Sequence, residues 1–440
     1  MKTPIYRRLT YITFIIIFLV VSPLIILYTM GYRYNFSKGR VQKTGILKIT
    51  SIPRNANISL NGVTYEKNST PAKIEYLLPG DYEISLTKDG YHAWKKKLAV
   101  YENGTTFAEK VMLWKKSEPQ SLSSTSTDNW LISPDKNIIA LSKTDNISLI
   151  NINSGLLGEI SGGNMEVIST IKDYDRLELI AFSPSGRYVL VNATKGKQIE
   201  YFLTDTLNKE SKKLNGKNYK SIKWDNNGDN LYALNESGLW QFNLSSLNPK
   251  LIIKTAKADD FFVSNKTLYF VGQQLISQQT LTGETAKDLK KLSCTICQIK
   301  DIKNNKGFIW DIKTGILEIV DLSNQNKTIE LFAKNFDWLN DTSLIVYNDF
   351  EIYTLELNKD QAELITRLST PIKYVIWHPK GRHLIFSTGG EIKIIELDNR
   401  ELRNIITLTD DDGAFLASDR AGQNIYYNLD KKGIFKLNIQ

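Results

Sequence analysis

The sequence predicts a mainly β protein with one transmembrane helix near its amino terminus, followed by a small β-sandwich and a β-propeller. Three patterns indicate this fold class. Residues 9–32 form an uncharged and largely apolar run, residues 45–114 alternate apolar and polar side chains, and residues 115–440 repeat one unit. The 440 residues are 42% hydrophobic, which is enough for more than one packed core.

The run from Leu9 to Tyr32 is long enough to cross a membrane. Its 24 residues make roughly 36 Å of helix at about 1.5 Å per residue, against a hydrocarbon core of about 30 Å. Residues 1–8 are a short basic tail, which is also typical of a signal peptide. However, a signal peptide has a shorter apolar region and a small-residue cleavage site, and the first alanine here is Ala56. The sequence therefore predicts an uncleaved anchor, in which Pro23 removes one helical hydrogen bond.

Basic residues flank the run on both sides, so their number alone does not orient it. Three precede the run, and four lie in a basic stem at residues 33–44. The leading segment is short, and long domains cross membranes largely regardless of their charge. We therefore expect the amino terminus inside the cell and the body outside. In the alternative orientation, the body of the protein faces the cytoplasm and acts as a scaffold there.

The excess of positive charge lies close to the predicted span. The net charge is +9, yet residues 1–116 hold 18 Lys and Arg against 7 Asp and Glu, while residues 117–440 hold 38 against 40. Basic residues beside a span can meet anionic lipid head groups or acidic envelope polymers. Aromatic and basic residues do not recur together as in a stacking platform for bases, so we expect no nucleic acid partner.

Residues 45–114 have the pattern of a small antiparallel β-sandwich. Apolar residues recur with period two in five short segments, and Asn61-Gly62 between two of the strands is typical of a hairpin turn. The five predicted strands are Ile46–Ile49, Ile58–Leu60, Ile74–Tyr76, Tyr82–Leu86 and Lys97–Val100.

Five motifs follow one another in this stretch. They are Gly45-x-Leu47-x-Ile49, Pro53-x-x-Ala56-x-Ile58-x-Leu60-Asn61-Gly62, Thr70-Pro71, Leu78-Pro79-Gly80-x-Tyr82 and Lys88-x-Gly90-Tyr91-x-x-Trp94. Their order resembles the PEGA domain, although the namesake tetrapeptide reads Pro53-Arg54-Asn55-Ala56 and lacks the middle Glu-Gly. The resemblance implies an accessory module of envelope and surface proteins, without catalytic residues, and supports an outside location.

One candidate binding patch lies at the end of this domain. It consists of Tyr91, Trp94, Lys95, Lys96 and Lys97. Aromatic and basic side chains together suit a glycan or an acidic polymer. In the alternative interpretation the two aromatic residues belong to the core of one sheet, and the lysines form its solvated face.

From residue 118 onward the chain repeats a turn, a strand, a short turn and a second strand. The eight first strands begin at positions that run from 137 to 424, and the seven steps between them average 41 residues. A period of about 40–45 residues with several strands per unit is typical of a β-propeller blade. Eight copies predict eight blades, with seven as the alternative. The predicted starts are 137, 187, 230, 267, 307, 343, 383 and 424.

The last copy ends at a third strand, one short of four. We expect a segment within residues 117–130 to supply the missing strand and close the ring, which removes two open sheet edges. The turns of the Ser-Pro-x-Gly kind that follow Phe182, Trp224 and Trp377 resemble the propeller repeats of TolB and of the amino-terminal part of dipeptidyl peptidases. WD40 repeats fit less well, because their Gly-His signature is missing.

Few residues in the chain suggest chemistry. The Gly-x-Ser-x-Gly motif of serine hydrolases does not occur. Asp225, Asn227 and Asp229 place oxygen atoms around a glycine, as a calcium loop does. However, their place in the repeat corresponds to the turn that every other copy also has, which is the alternative interpretation. Cys294 and Cys297 indicate a small disulfide or two plain thiols, since they lack the context of a thioredoxin motif. No glycine-rich phosphate loop is present, and we expect no cofactor.

These patterns together predict a non-catalytic protein of the cell envelope. We expect it to present its propeller to a protein or glycan partner, while the small domain spaces the propeller from the membrane. The rival hypothesis is a lyase or hydrolase with carboxylates at the central mouth. The sequence does not define the oligomeric state.

Overall fold

The computed structural model of the protein describes residues 3–440, apart from 125–126, 128, 153–164, 217, 255–257, 284, 324–326, 360 and 431. The side chains of residues 3–5 and 66–68 also lie outside this description. The chain divides into two compact units. Unit 1 comprises Met1–Ser117, Asp398–Ile406 and Gln440, and unit 2 comprises Glu118–Leu397 and Thr407–Ile439.

A long helix, α1, lies at the start of unit 1 and covers Thr3–Thr29. Its segment Tyr6–Thr29 reaches a mean hydropathy of 2.6 over 18 residues, and none of that window is buried. By length and composition this helix can cross a membrane. Gly31, at φ +87°, reverses the chain after the helix. A hairpin follows, made of β1 (Tyr32–Asn35) and β2 (Arg40–Lys43).

The module after the hairpin consists of two sheets with one core between them. One sheet has the order β5-β4-β7-β8 and the other β6-β3-β9. The core includes Leu47, Ile49, Ile58 and Ile84, all fully buried. The strands are β3 (Gly45–Ile52), β4 (Asn57–Leu60), β5 (Val63–Ser69), β6 (Ala72–Leu77), β7 (Gly80–Thr87), β8 (Trp94–Val100) and β9 (Thr105–Met112).

One strand pair differs from the antiparallel arrangement expected for this module. β3 and β9 run parallel, with Leu47 beside Thr106. The chain between them passes through the other sheet before it returns, so β9 enters its sheet in the same direction as β3.

Among the described residues between 120 and 438, the strands form eight sheets of four. Within each sheet, strands that are consecutive in sequence are hydrogen-bonded neighbours, except that β10 joins the last sheet. Sheet 1 consists of β11 (Asn129–Ile132), β12 (Ile138–Lys143), β13 (Asn146–Asn151) and β14 (Met165–Thr170). Sheet 2 consists of β15 (Arg176–Phe182), β16 (Tyr188–Lys195), β17 (Gln198–Asp205) and β18 (Glu210–Lys213). Sheet 3 consists of β19 (Ser221–Asp225), β20 (Gly228–Asn235), β21 (Gly238–Phe242) and β22 (Pro249–Ile253), and sheet 4 of β23 (Asp260–Ser264), β24 (Thr267–Gly272), β25 (Leu275–Thr280) and β26 (Lys287–Lys291).

Sheet 5 consists of β27 (Cys297–Lys303), β28 (Lys306–Asp311), β29 (Ile316–Asp321) and β30 (Thr328–Phe332). Sheet 6 consists of β31 (Asn335–Trp338), β32 (Ser343–Tyr347), β33 (Glu351–Glu356) and β34 (Gln361–Arg367). Sheet 7 consists of β35 (Ile372–Trp377), β36 (His383–Thr388), β37 (Ile392–Glu396) and β38 (Ile405–Thr409), and sheet 8 of β39 (Gly413–Ser418), β40 (Asn424–Leu429), β41 (Gly433–Asn438) and β10 (Gln120–Ser123).

Apolar side chains fill the spaces between neighbouring sheets, which makes the array a β-propeller. Phe308 of sheet 5 packs with Leu344 of sheet 6. Trp130 of sheet 1 packs with Tyr426 and Ile434 of sheet 8, so the row of sheets returns to its start. Each sheet is thereby covered on both faces, as the repeat predicts.

The first strand of each sheet lies innermost. First strands of successive sheets contact one another, for example β19 with β23 and β23 with β27. The segments that the sequence suggested as first strands, such as Asn137–Ala140, overlap the second strands, such as β12. The predicted repeat therefore starts one strand late within each sheet.

Candidate partner-binding face

Two kinds of connection meet at one edge of each sheet. The link from a fourth strand to the next first strand and the turn from a second to a third strand both lie where the first strand begins. This follows because antiparallel strands alternate in direction. We call this side of the propeller the entry face.

Four large apolar side chains are exposed on the entry face of sheets 5 and 6. Their exposed fractions are 53% for Ile296, 58% for Ile312, 66% for Phe332 and 47% for Phe350. Hydrogen bonds join the segments that carry them in two pairs: Ile312 N donates to Ile296 O within sheet 5 (3.0 Å), and Asn348 Nδ2 of sheet 6 donates to Phe332 O of sheet 5 (3.4 Å). We call these four residues the apolar patch. Grouped apolar side chains on a surface are typical of an interaction site.

A disulfide braces the loop that carries Ile296. Cys294 and Cys297 are bonded, with their Cα atoms 5.4 Å apart. The N–H groups of Thr295 and Ile296 donate to the Asp311 carboxylate at 3.0 and 3.3 Å. Burial alone would raise the pKa of Asp311, but N–H donors from this loop and the following turn outweigh burial and lower it. The loop is thus held in one conformation, which reduces the entropy lost on binding.

Charged pairs lie on the entry face of sheet 6 and of the next two sheets. Lys334 Nζ lies 3.1 Å from Asp349 Oδ1 and donates to Ile372 O at 3.1 Å. Lys373 pairs with Asp412 on the same face. These side chains are largely exposed, so each pair contributes about 1 kcal/mol or less to stability. An apolar centre with a charged rim is the usual anatomy of a protein interface.

A buried ion pair joins sheets 3, 4 and 5 near the centre. Lys223 Nζ on β19 lies 2.6 Å from Asp260 Oδ2 on β23 and donates to Ile299 O on β27 at 2.7 Å. Ile299 N donates to the same carboxylate at 2.8 Å. Burial lowers the pKa of Lys223, and Asp260 opposes that effect. The pair links three innermost strands through groups that have little contact with solvent.

Two further carboxylates of the innermost strands also have protein partners. Asp301 accepts hydrogen bonds from Trp338 Nε1 at 3.0 Å and Asn226 Nδ2 at 3.3 Å. Asp337 accepts from the backbone N–H groups of Trp377 and Trp338. Burial raises the pKa of both Asp301 and Asp337. A glycosidase-like enzyme needs two carboxylates that face one substrate bond, and no observation on these residues favours that arrangement.

The structure separates the five residues of the patch predicted in the module. On β8 the side chains alternate, so Trp94 and Lys96 are buried (4% and 2% exposed) while Lys95 and Lys97 are exposed. Tyr91 packs half-buried against the module core. These five residues do not form one exposed aromatic and basic surface.

Lys96 is instead covered by a segment of unit 1 from distant sequence. Its Nζ donates to Asp398 O at 2.7 Å and lies 3.7 Å from Asp398 Oδ2. The same segment reaches the module through Arg400 Nη1, which donates to Phe107 O at 2.6 Å. A buried lysine is costly unless it is paired, and this segment supplies the pairing.

The predicted calcium-like loop has protein donors on its oxygens. Asp225 is buried, and its Oδ1 accepts from Asn227 N at 3.2 Å within the turn. Asp229 Oδ1 accepts from Ser185 N of sheet 2 at 3.0 Å. Among the residues that the structure describes, no three His, Cys, Asp or Glu side chains come together so as to hold a metal ion.

Fold and contacts define this protein as a β-propeller protein with a small β module and an apolar amino-terminal helix. Residues 44–113 match the family model of the PEGA domain, which is the family that the motif order indicates. The chain therefore contains a PEGA domain in this stretch. A search of curated proteins finds no match.

The propeller is similar to solved WD40 propellers. The crystal structure of the C-terminal WD40 domain of Sif2 superposes with a TM-score of 0.52 at 14% identity, over 73% of this chain and 98% of that chain. The WD40 β-propeller domain of Doa1 gives 0.41 at 10% identity, over 73% and 96%, and a chain of the mitotic checkpoint complex gives 0.42 at 11%, over 72% and 95%. The similarity to the Sif2 domain indicates the fold alone.

The apolar patch was not predicted from the sequence, although a signal was present. Ile296, Ile312 and Phe350 occupy connections and turns, where Gly, Asn, Asp and Ser predominate. An isoleucine between two cysteines, or a phenylalanine after Asn348-Asp349, is a large apolar residue at a position that packing does not require. Such residues mark a surface worth inspection.

Proposed function

We propose that this protein is a non-catalytic scaffold, anchored in the cell membrane by α1, that binds a protein partner through the entry face of its propeller. The observation that carries this proposal is the apolar patch of Ile296, Ile312, Phe332 and Phe350, in which Ile296 lies on the loop braced by the disulfide. The PEGA domain spaces the propeller from the membrane in this proposal.

The chemistry of the patch favours a protein partner over a glycan. Two isoleucines and two phenylalanines offer apolar area, with few hydrogen-bond donors for sugar hydroxyls. Phenylalanine is among the residue types enriched at protein interfaces, whose rims are polar. The pairing of Cys294 and Cys297 supports a body outside the cytoplasm, because disulfides persist in oxidising compartments.

The proposal extends to the domain boundaries and the ring. It places the span within α1, which ends at Thr29 before β1 begins at Tyr32, and it places the PEGA domain at 45–114. It starts the propeller at Glu118, where unit 2 begins, instead of at residue 115. The ring has eight blades, with β10 as the closing strand of the last blade. The proposal includes two further predictions, that the propeller is of the TolB type and that the envelope is bacterial.

A photo-crosslinking amino acid at Ile312 tests the binding face in intact cells. We expect a crosslinked product of defined size at Ile312 and none at Leu207, a control residue that is 70% exposed in the turn between the third and fourth strands of sheet 2. The substitution Phe350→Asp should reduce the product yield, because it places a charge in the apolar patch. Equal products at both positions, or none at Ile312, would contradict the proposal.

Protease treatment of intact cells tests the membrane placement separately. With the body outside, the propeller should be cut while cytoplasmic proteins remain whole. A propeller that stays intact until the cells are lysed would refute the outside placement.

A further inference from the structure

The basic stem of the sequence is an ordered hairpin with an exposed apolar tip. Phe36 at its turn is 88% exposed, Val41 53% and Tyr34 49%. The rings of Tyr34 and Phe36 meet edge to face, with centroids 4.9 Å apart. In water this arrangement leaves a contiguous apolar surface without a partner among the described residues, and such surfaces are costly.

The turn of the hairpin is fixed by a buried side chain. Asn35 Oδ1 accepts hydrogen bonds from Ser37 N at 3.0 Å and Lys38 N at 3.2 Å. Gly39, at φ +62°, closes the turn. The apolar tip is therefore presented in one conformation, so little entropy is lost when it contacts a surface.

The hairpin is also fastened to the end of α1. The Arg33 guanidinium lies 3.5 Å from the centroid of the Tyr28 ring and 4.5 Å from that of Tyr76 in the module. Its Nη1 donates to Tyr28 O at 2.7 Å, and Thr44 N donates to Gly31 O at 2.9 Å. Helix end, hairpin and module edge are thus joined by direct contacts within unit 1.

Charge and chain length identify the surface that the tip meets. Residues 31–44 carry Arg33, Lys38, Arg40 and Lys43 and no acidic residue. Phe36 lies seven residues beyond the end of α1, so it can be at most about 25 Å from that end. If α1 spans a bilayer, the tip is confined to the head-group side. Aromatic and basic residues are the types enriched there, and cations attract anionic lipid.

We propose that the β1–β2 hairpin is a second membrane contact, which inserts Tyr34, Phe36 and Val41 among the head groups of an anionic lipid surface. The inference rests on the proposed anchoring by α1. Its consequence is that the PEGA module is held at the membrane by two elements, a span and an interfacial hairpin, which limits its tilt.

Environment-sensitive probes on the full chain in lipid vesicles test this inference. A single cysteine is introduced as Phe36→Cys, Phe18→Cys or Leu207→Cys and labelled without reductant, since the native cysteines are paired. In vesicles that contain phosphatidylglycerol, we expect the probes at 36 and 18 to shift their emission to the blue and to be quenched by lipid-attached quenchers. The probe at 207 should show neither effect.

The three probes distinguish a failure of the hairpin contact from a failure of the anchoring by α1. If the probe at 18 is not quenched, the anchor itself is refuted. If the probe at 18 is quenched and the probe at 36 behaves like that at 207, the anchor stands and the hairpin contact is overturned.

Charge reversal tests the lipid assignment. The double variant Lys38→Glu and Arg40→Glu should lose the blue shift at position 36 in anionic vesicles. The matched variant Lys195→Glu and Lys197→Glu, on an exposed turn of sheet 2, should retain it. An equal signal at 36 in both double variants would exclude anionic lipid as the partner of the hairpin.

Discussion

The PEGA module and the propeller build their cores in different ways. In the module, side chains such as Leu47 and Ile58 from two sheets form one core that belongs to the module alone. In the propeller each core is shared, as when Phe308 of sheet 5 packs with Leu344 of sheet 6. A defect in the module therefore stays local, whereas a defect between two propeller sheets weakens a closed ring.

The largest expected effect is from Phe308→Ala, which breaks the interface between sheets 5 and 6. Phe308 is fully buried, and its ring centroid lies 5.1 Å from that of Trp338 and 5.5 Å from that of Phe336. Removing a buried phenylalanine costs about 3–5 kcal/mol. Scanning calorimetry should show the loss in the propeller transition. The control Phe332→Ala, at an exposed position, should change stability by about 0.5 kcal/mol or less.

The counterpart in the module is Leu47→Ala, which tests whether the two cores are separate. It should lower the stability of the module by about 2–5 kcal/mol and leave the propeller transition where it is. A single transition that moves with either variant would contradict the comparison.

Acid should destabilise the propeller before the module. Burial lowers the pKa of His378 to about 4, although Nε2 is hydrogen-bonded to Gly422 O at 3.1 Å. Between its unfolded pKa of about 6.5 and its folded pKa of about 4, the unfolded state binds more protons than the folded state. The propeller therefore loses stability as the pH is lowered through this range. The expected loss is up to about 3 kcal/mol across this window. Denaturant unfolding at several pH values measures it, and His378→Gln should flatten the slope.

The module should show a weaker pH dependence in this range. Burial also lowers the pKa of His92 in the module, but this imidazole is only partly buried. Burial alone would raise the pKa of Asp398, but hydrogen bonds from Arg400 outweigh burial and hold it below its usual range. The stability that Asp398 contributes to unit 1 is therefore complete above the ordinary aspartate pKa of about 3.9 and is lost only below it. If unit 1 unfolds before the propeller between pH 6 and pH 4, this assignment is wrong.

A smaller effect is expected from Gly433→Ala, at the closing strand of the ring. Gly433 has φ +97°, and a Cβ there would collide with the carbonyl oxygen of Ser123 in β10. The clash and the backbone strain together cost about 1–3 kcal/mol. Gly389→Ala is the matched control, because a Cβ at that position meets no atom within 4 Å. Thermal unfolding of the two variants should differ in the propeller transition, and equal midpoints would contradict a role of β10 in stability.

The strands of the propeller differ in how well the sequence could predict them. The second strands of the propeller, such as β16, are strongly apolar because both faces are covered, and they gave the repeat its signal. The innermost strands gave a weak signal, because they mix apolar residues with charged ones. Lys223, Asp260 and Asp337 are partnered across sheets, and a pairing of that kind is not visible in one strand.

The candidate sites were harder to predict than the fold. Lys96 belongs to a sequence of three lysines that predicts a solvated face, yet it is buried under Asp398, which lies 302 residues away. The hairpin at residues 32–43 looked like a plain stem, because four-residue strands are too short to show a period. Both features depend on contacts that local pattern does not contain.

The pairing of β10 with β41 has a consequence for the order of events during synthesis. Gln120 hydrogen-bonds in the same sheet as Lys436, so the ring has no complete last sheet until more than 300 further residues have been made. At about 5–20 residues per second, β10 waits on the order of tens of seconds for its partner. During that time the growing array has two unpaired edges, and such edges invite pairing with other chains. A nascent chain of this protein is thus exposed to misassembly until β41 has emerged and paired with β10.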